Sequence, residues 1–115
     1  MKFSCVITHA GDTAFATAHG DIDLVAAPDL RHALQTIVND HAVRRIVVDM
    51  ADVTFMDSSA LGVLIAARIA AERRGMTLTV TNPGPMVSMI LTVTGLFELL
   101  VGPLQPVEAA RPEPA

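Results

Sequence analysis

The sequence predicts a single α/β domain: a mixed β-sheet, mostly parallel after an N-terminal hairpin, with helices packed on it. Three observations lead there. Two alternating apolar runs at the N-terminus are split by Ala10-Gly11-Asp12, which reads as a hairpin turn. Beyond them, strand-like runs alternate with segments of helical periodicity, the pattern of parallel strands joined by right-handed crossovers. The chain has 115 residues, 51% of them hydrophobic and 17% charged. That is enough for one core and too apolar for a disordered protein.

The elements follow in order. Lys2–Thr8 alternates Phe3, Cys5 and Ile7 with more polar neighbours and reads as a strand. Thr13–Ala18 is the second strand, and His19–Asp23 is its polar exit. Pro28 suits the first turn of a helix, where its missing N–H costs nothing. Leu30, Ala33, Leu34, Ile37 and Val38 then fall at helical spacing. Val43–Met50 is a strand whose continuous Ile46-Val47-Val48 run predicts cover on both faces. Ser58–Arg74 is a helix stopped before Gly75. Met76–Thr81 alternates as a strand, Asn82–Pro85 turns, Met86–Val93 is a short helix, and Phe97–Val101 is a final short strand. The expected order is β-β-α-β-α-β-α-β. The domain is expected to span residues 1–102, followed by a proline-containing disordered tail, 103–115, with Pro103, Pro106, Pro112 and Pro114.

Composition excludes several function classes. A formal charge of -4 and scattered basic residues give no footprint for direct nucleic-acid binding. The pairs Arg44-Arg45 and Arg73-Arg74 read as solvated surface charge. One cysteine, Cys5, allows no intrachain disulfide and no zinc cluster. Leu61–Ala71 is too short for a membrane span and carries Arg68; Pro85–Leu104 is interrupted by prolines, glycines and Glu98. No membrane insertion is expected, and a cytoplasmic, reducing setting is the simplest reading. No phosphate-binding or dinucleotide glycine loop is present, and Ser58 lies in no Gly-x-Ser-x-Gly elbow. The four histidines all fall in the first half, at surface or strand-end positions. An enzyme is not expected.

The most informative stretch is Asp52–Gly62, which follows a strand and opens a helix. Asp57, Ser58 and Ser59 all suit a helix N-terminus, where side-chain oxygens accept the unpaired N–H groups. Taken alone, capping explains them.

The combination says more. Ile46-Val47-Val48-Asp49-Met50 followed by Phe55-Met56-Asp57-Ser58-Ser59-Ala60-Leu61-Gly62 resembles the signature of the anti-sigma factor antagonist (anti-anti-sigma factor) family, whose fold is the STAS domain. Gly20-Asp21-Ile22-Asp23 is similar to that family's Gly-Glu-Leu-Asp segment, and Thr94-Gly95-Leu96-Phe97 to its Ser-Gly-Leu-Phe segment. The resemblance runs from the first strand to about Val101. Two departures stand out: Ala60 replaces a frequent glycine, and Asp21 a glutamate.

The resemblance implies partner switching in transcription regulation. The antagonist binds an anti-sigma factor that is also an ATP-binding serine kinase, which frees a sigma factor. The kinase then phosphorylates the antagonist and lets go, and a serine phosphatase restores it. Ser58 matches the phosphorylated position. Asp21, Asp23, Asp57 and Ser59 are expected at the partner surface with it; Thr94 matches a family position near that surface, but equally suits a cap at the end of its helix. The antagonist itself needs no cofactor. Two other roles use the same fold: a docking subunit of a membrane lipid transporter, and a stressosome-like scaffold, neither phosphorylated.

Ser58 shares a helix face with Leu61, Gly62, Ile65 and Ile69. The opposite side carries Ser59, Val63, Ala66, Ala67 and Ala70. Periodicity favours the large residues facing inward. The resemblance favours the reverse, with Leu61, Ile65 and Ile69 as an exposed apolar stripe beside Ser58.

Overall fold

Gly11 closes the hairpin in a left-handed conformation (φ 61°) that only glycine adopts without strain. It joins β1 (Ser4–Ala10) to β2 (Thr13–Ile22), which pair antiparallel. The Asp12 carbonyl then accepts the Arg44 and Arg45 N–H groups, tying this turn to the start of β3 (Arg45–Met56). The computed structural model describes residues 2–102; the expected tail, 103–115, lies outside the described residues. The remaining elements are α1 (Ala27–Val38), α2 (Ser58–Arg73), β4 (Thr77–Thr81), α3 (Pro85–Val93) and α4 (Phe97–Leu100). The sheet order is β1-β2-β3-β4, with β2, β3 and β4 parallel. The fold class is the mixed α/β domain that the sequence predicts.

Topology decides where the core lies. β2, β3 and β4 are laid down side by side in one direction, so right-handed crossovers place α1 and α2 on the same face of the sheet. Ile46, Val48 and Met50 of β3 and Leu78 and Val80 of β4 point to that face and are buried. They meet Leu30, Leu34 and Ile37 of α1, Leu64 of α2 and Leu91 of α3. The opposite face carries Val6, Thr17, Val47 and Thr79, none of them buried. The Ile46-Val47-Val48 run is therefore covered on one face, not two. Its uninterrupted β-branching reflects strand propensity at Val47 rather than burial.

Three further expectations need correction. Both central strands run past their expected ends. β2 continues through His19–Ile22 with its alternation unbroken, which keeps Gly20 and Ile22 on the core face, while β3 carries the extra residue at each of the two register shifts, opposite Thr17–His19 and Gly20–Asp21. Gly20, beside the second shift, has φ 87°, a conformation that favours glycine. β3 extends six residues past Met50, pairing with this prolonged β2. The last element is a helix, not a strand. Gly95 (φ 77°) ends α3, and one helical turn later Leu100 is buried with Phe97 packed against the core. Finally, Leu61 is only 7% exposed, Ile65 half-buried and Ile69 46% exposed, so the expected exposed stripe is turned inward at its start and reaches the surface only at Ile69. Small residues allow close packing from both sides: Ala14, Ala16 and Ala18 of β2 and Ala60 and Ala71 of α2 have no exposed surface. The exposed line of α2 is Ser58, Gly62, Ala66, Ile69 and Arg73.

A pair of near-isosteric substitutions tests the one-sided core. Val48→Thr buries a hydroxyl without a partner and is expected to cost about 1–3 kcal/mol. Val47→Thr, on the open face, is expected to stay within ~0.5 kcal/mol. Urea denaturation of both variants measures the difference; equal losses would contradict it.

Candidate functional site

The carboxyl ends of β2 and β3 meet the start of α2, and most of the residues singled out in the sequence converge there. Ile22 pairs with Met56, Asp21 with Phe55, and the Asp57 N–H donates to the Ile22 carbonyl at 3.3 Å. Asp57 is extended and its carboxylate accepts the Ser59 N–H at 2.9 Å. Asp57 is thus the N-cap of α2, Ser58 its first residue and Ser59 its second. Capping is accomplished by the aspartate alone. The Ser58 hydroxyl makes no hydrogen bond among the described residues, and the residue is exposed.

The neighbouring carboxylates do local structural work as well. Asp23 accepts the Ala26 N–H at 3.0 Å through its side chain and the Ala27 N–H at 2.9 Å through its carbonyl, shaping the turn into α1. The Thr54 hydroxyl donates to Asp21, locking the ends of β2 and β3 side by side. Asp21, Asp23 and Asp57 therefore bring three carboxylates to the end of the sheet that carries Ser58, held by backbone and hydroxyl donors. Ala60 is fully buried, so the methyl that departs from the family motif lies in the core and not on the surface.

Apolar residues that the sequence reading passed over complete the site. Leu24 is 71% exposed and Val25 84%, and Phe55 at the end of β3 is also exposed. Their signal was present: two adjacent large apolar residues in the short turn between Asp23 and α1 cannot both reach a core. A cleft between α1 and α2 opens beside Ser58, lined by Leu24, Pro28, Arg31, Ser59, Gly62 and Ala66, among others.

The other expected positions separate. Ile65 is half-buried against the core, and Ile69 is 46% exposed farther along α2. Thr94 is the C-cap of α3; its hydroxyl donates to the Ile90 and Leu91 carbonyls at 2.8 and 3.2 Å. Neither hydrogen bond nor shared cleft joins it to Ser58 among the described residues. Arg68 is engaged with the Leu99 carbonyl and with Glu72 at 3.1 Å.

Burial pushes the Cys5 thiol up, which keeps it protonated; it pairs with Ala18, short of the carboxyl end of β2, and lines neither cleft there. His19 pairs with Asp52 at 3.2 Å, on β2 and β3. Among the described residues no cluster of His, Cys, Asp and Glu is placed to hold a metal, and no helix is long and apolar enough to cross a membrane.

With this geometry in hand, comparison with known proteins is decisive. The STAS domain profile matches residues 5–110. The chain belongs to the STAS-domain family. A STAS-domain containing protein of Pseudomonas aeruginosa is 34% identical over 99 residues, 86% of this chain and 96% of the relative. The anti-sigma-B factor antagonist of Bacillus subtilis is 31% identical over 81 residues, 70% of this chain and 72% of that one. Among solved structures, the Bacillus anti-sigma factor antagonist SpoIIAA shares the fold. Its unphosphorylated form gives a TM-score of 0.74 at 23% identity, covering 94% of this STAS chain and 92% of its own. Its phosphorylated form gives 0.67 at 22% identity, covering 94% and 96%.

The cap geometry has a measurable consequence. Asp57→Ala removes the acceptor for the Ser59 N–H and is expected to cost about 0.5–2 kcal/mol of stability. Asp57→Asn keeps a capping oxygen and is expected to lose much less. Thermal unfolding of the two variants checks this, and equal destabilisation would mean that the cap is not the group that matters.

Proposed function

We propose that this STAS protein is an anti-sigma factor antagonist that works by partner switching in the cytoplasm, with Ser58 as its phosphorylated switch. The observation that carries the reading is the division of labour at the start of α2. Asp57 caps the helix, so the adjacent Ser58 hydroxyl is exposed and uncommitted. The relationship to anti-sigma-B factor antagonists and the likeness to SpoIIAA, a structure of which carries phosphate, support it.

The unmodified protein binds an anti-sigma factor that is also a serine kinase, through an apolar and acidic surface around Ser58. Leu24, Val25 and Phe55 supply the exposed apolar area, with Ser59, Gly62 and Ile69 continuing it along α2 and Ile65 at its flank. Asp21 and Asp23 supply the charge. Leu61 is left out because it is buried, and Thr94 because its hydroxyl is used as a cap. Occupying the anti-sigma factor releases a sigma factor. The kinase then moves the γ-phosphoryl group of its ATP to Ser58. The bond to ADP breaks, an Oγ–P bond forms, and the hydroxyl proton passes to a base on the kinase. A serine phosphatase hydrolyses the ester and restores binding.

The physical effect of the phosphate follows from its position. It brings about -1.5 to -2 charges and three acceptor oxygens. At the first position of a helix such an anion is well tolerated, because free N–H groups and the helix dipole favour it. Against a partner it is poorly tolerated, since it adds to the three carboxylates at this end and must be desolvated beside apolar side chains. The domain stays folded and the complex dissociates.

A pull-down from native cytosol with wild type and Ser58→Asp tests the reading. A small ATP-binding serine kinase, identified by mass spectrometry, is expected on wild type and absent from Ser58→Asp. Retention of the same partner by both forms, or capture of a transporter ATPase instead, would replace the switch with a docking module.

A further inference from the structure

We infer that Arg31 is the intramolecular receptor for the phosphate on Ser58, drawing it into the cleft between α1 and α2. This rests on Ser58 being phosphorylated, as proposed above, and adds a residue that has no counterpart in the sequence motifs. Arg31 and Ser58 line the same cleft, and Arg31 is the only charged residue among those that line it. The guanidinium forms no salt bridge among the described residues, so it is available.

Helix geometry brings the two together. α1 and α2 both start at the carboxyl ends of the strands and run back alongside each other, packed in contact. Pro28 and Ala27 line the cleft with Ser58 and Ser59, and Arg31 follows one turn into α1. Arg31 stands where this cleft meets the one that continues past Gln35 and Val38, and the lean of long helical side chains toward the helix N-terminus favours the Ser58 side. One turn is about 5.4 Å, within the reach of an extended arginine. The path is open because Gly62, across the cleft, has no side chain and nothing within 4 Å of where a Cβ would sit. Ala66 beyond it is small as well.

Charge drives the phosphate the same way. The turn at Leu24–Ala26 divides two clefts. The one on the far side is lined by Asp21, Asp23 and Asp29 against a single cation, Lys2, and Asp57 precedes Ser58 in the chain. A dianion on Ser58 is repelled by these carboxylates and attracted by the one guanidinium in its own cleft, with bidentate geometry suited to phosphate. The phosphate then lies over Gly62, filling the groove as well as charging the surface.

The test uses the full chain with phosphoserine installed at position 58 during translation, so that no kinase is needed. Phosphorus NMR follows the second ionisation of the phosphate at low ionic strength in wild type, Arg31→Gln and Arg31→Lys. Pairing favours the dianion, so the wild-type midpoint is expected at least ~0.5 pH unit below that of Arg31→Gln, a discounted figure for an exposed pair. Arg31→Lys is expected between them. Superimposable titrations of wild type and Arg31→Gln would overturn the inference. Because no partner protein is present, a failed pull-down and an absent shift are separate results: the first removes the switch, the second only the arginine.

Discussion

The Asp57 carboxylate, hydrogen-bonded to the Ser59 N–H, fixes the point where β3 becomes α2, and the functional end of the molecule is organised around it. The Asp57 N–H reaches across to the Ile22 carbonyl, so the ends of β2 and β3 are held to the same point. Asp23, one residue beyond Ile22, in turn starts α1 by accepting the Ala26 N–H. Two helix starts and two strand ends are thereby locked by a few backbone–carboxylate bonds. Charge-assisted bonds of this kind are among the stronger ones available to a small domain. They leave the Ser58 hydroxyl as the spare group at a rigid position.

The one-sided sheet explains why the site sits at an end and not on a face. With α1, α2 and the α3–α4 pair gathered on one side, the core is a single layer between sheet and helices. The alanine face of β2 lets the helices approach, and Ile22 and Met56 close the core directly beneath the site. Ser58 itself is exposed at this end, outside the packed side chains. The apolar Leu24 and Val25 stay outside because the short turn that Asp23 and Ala26 define cannot fold them under.

Much of this was readable from the sequence, and the gaps have physical causes. The hairpin turn, α1, α2, β4 and α3 fall within a residue or two of their expected bounds, because each is bracketed by glycine, proline or a cap. The overlong β2 and β3 were hidden by their polar and mixed residues; only the tertiary pairing of Gly20–Ile22 with Val53–Met56 makes them strands. Phe97–Leu100 carries too few residues for periodicity to separate a strand from a helical turn. The facing of α2 was written in its own spacing, with Leu61 and Leu64 inward, against what the resemblance suggested. Ser58, Asp57 and the Gly20–Asp23 segment were recognisable as a motif; Leu24 and Val25 belong to no motif and are betrayed only by two large apolar residues in a short turn, and Arg31 emerges from geometry alone.

The central claim is that phosphate on Ser58 changes the surface and not the fold. The most direct measurement compares the chain with and without phosphoserine at position 58, by nitrogen–proton correlation NMR and by thermal unfolding. Ser58 on a capped, rigid helix start predicts shift changes confined to the neighbourhood of residues 21–31 and 55–66, and a Tm change within ~4 °C, less than about 1 kcal/mol. Shifts spread through Val48, Leu78 and Leu91, with a Tm lowered well beyond that, would contradict it and make Ser58 part of the structural cap instead of the switch.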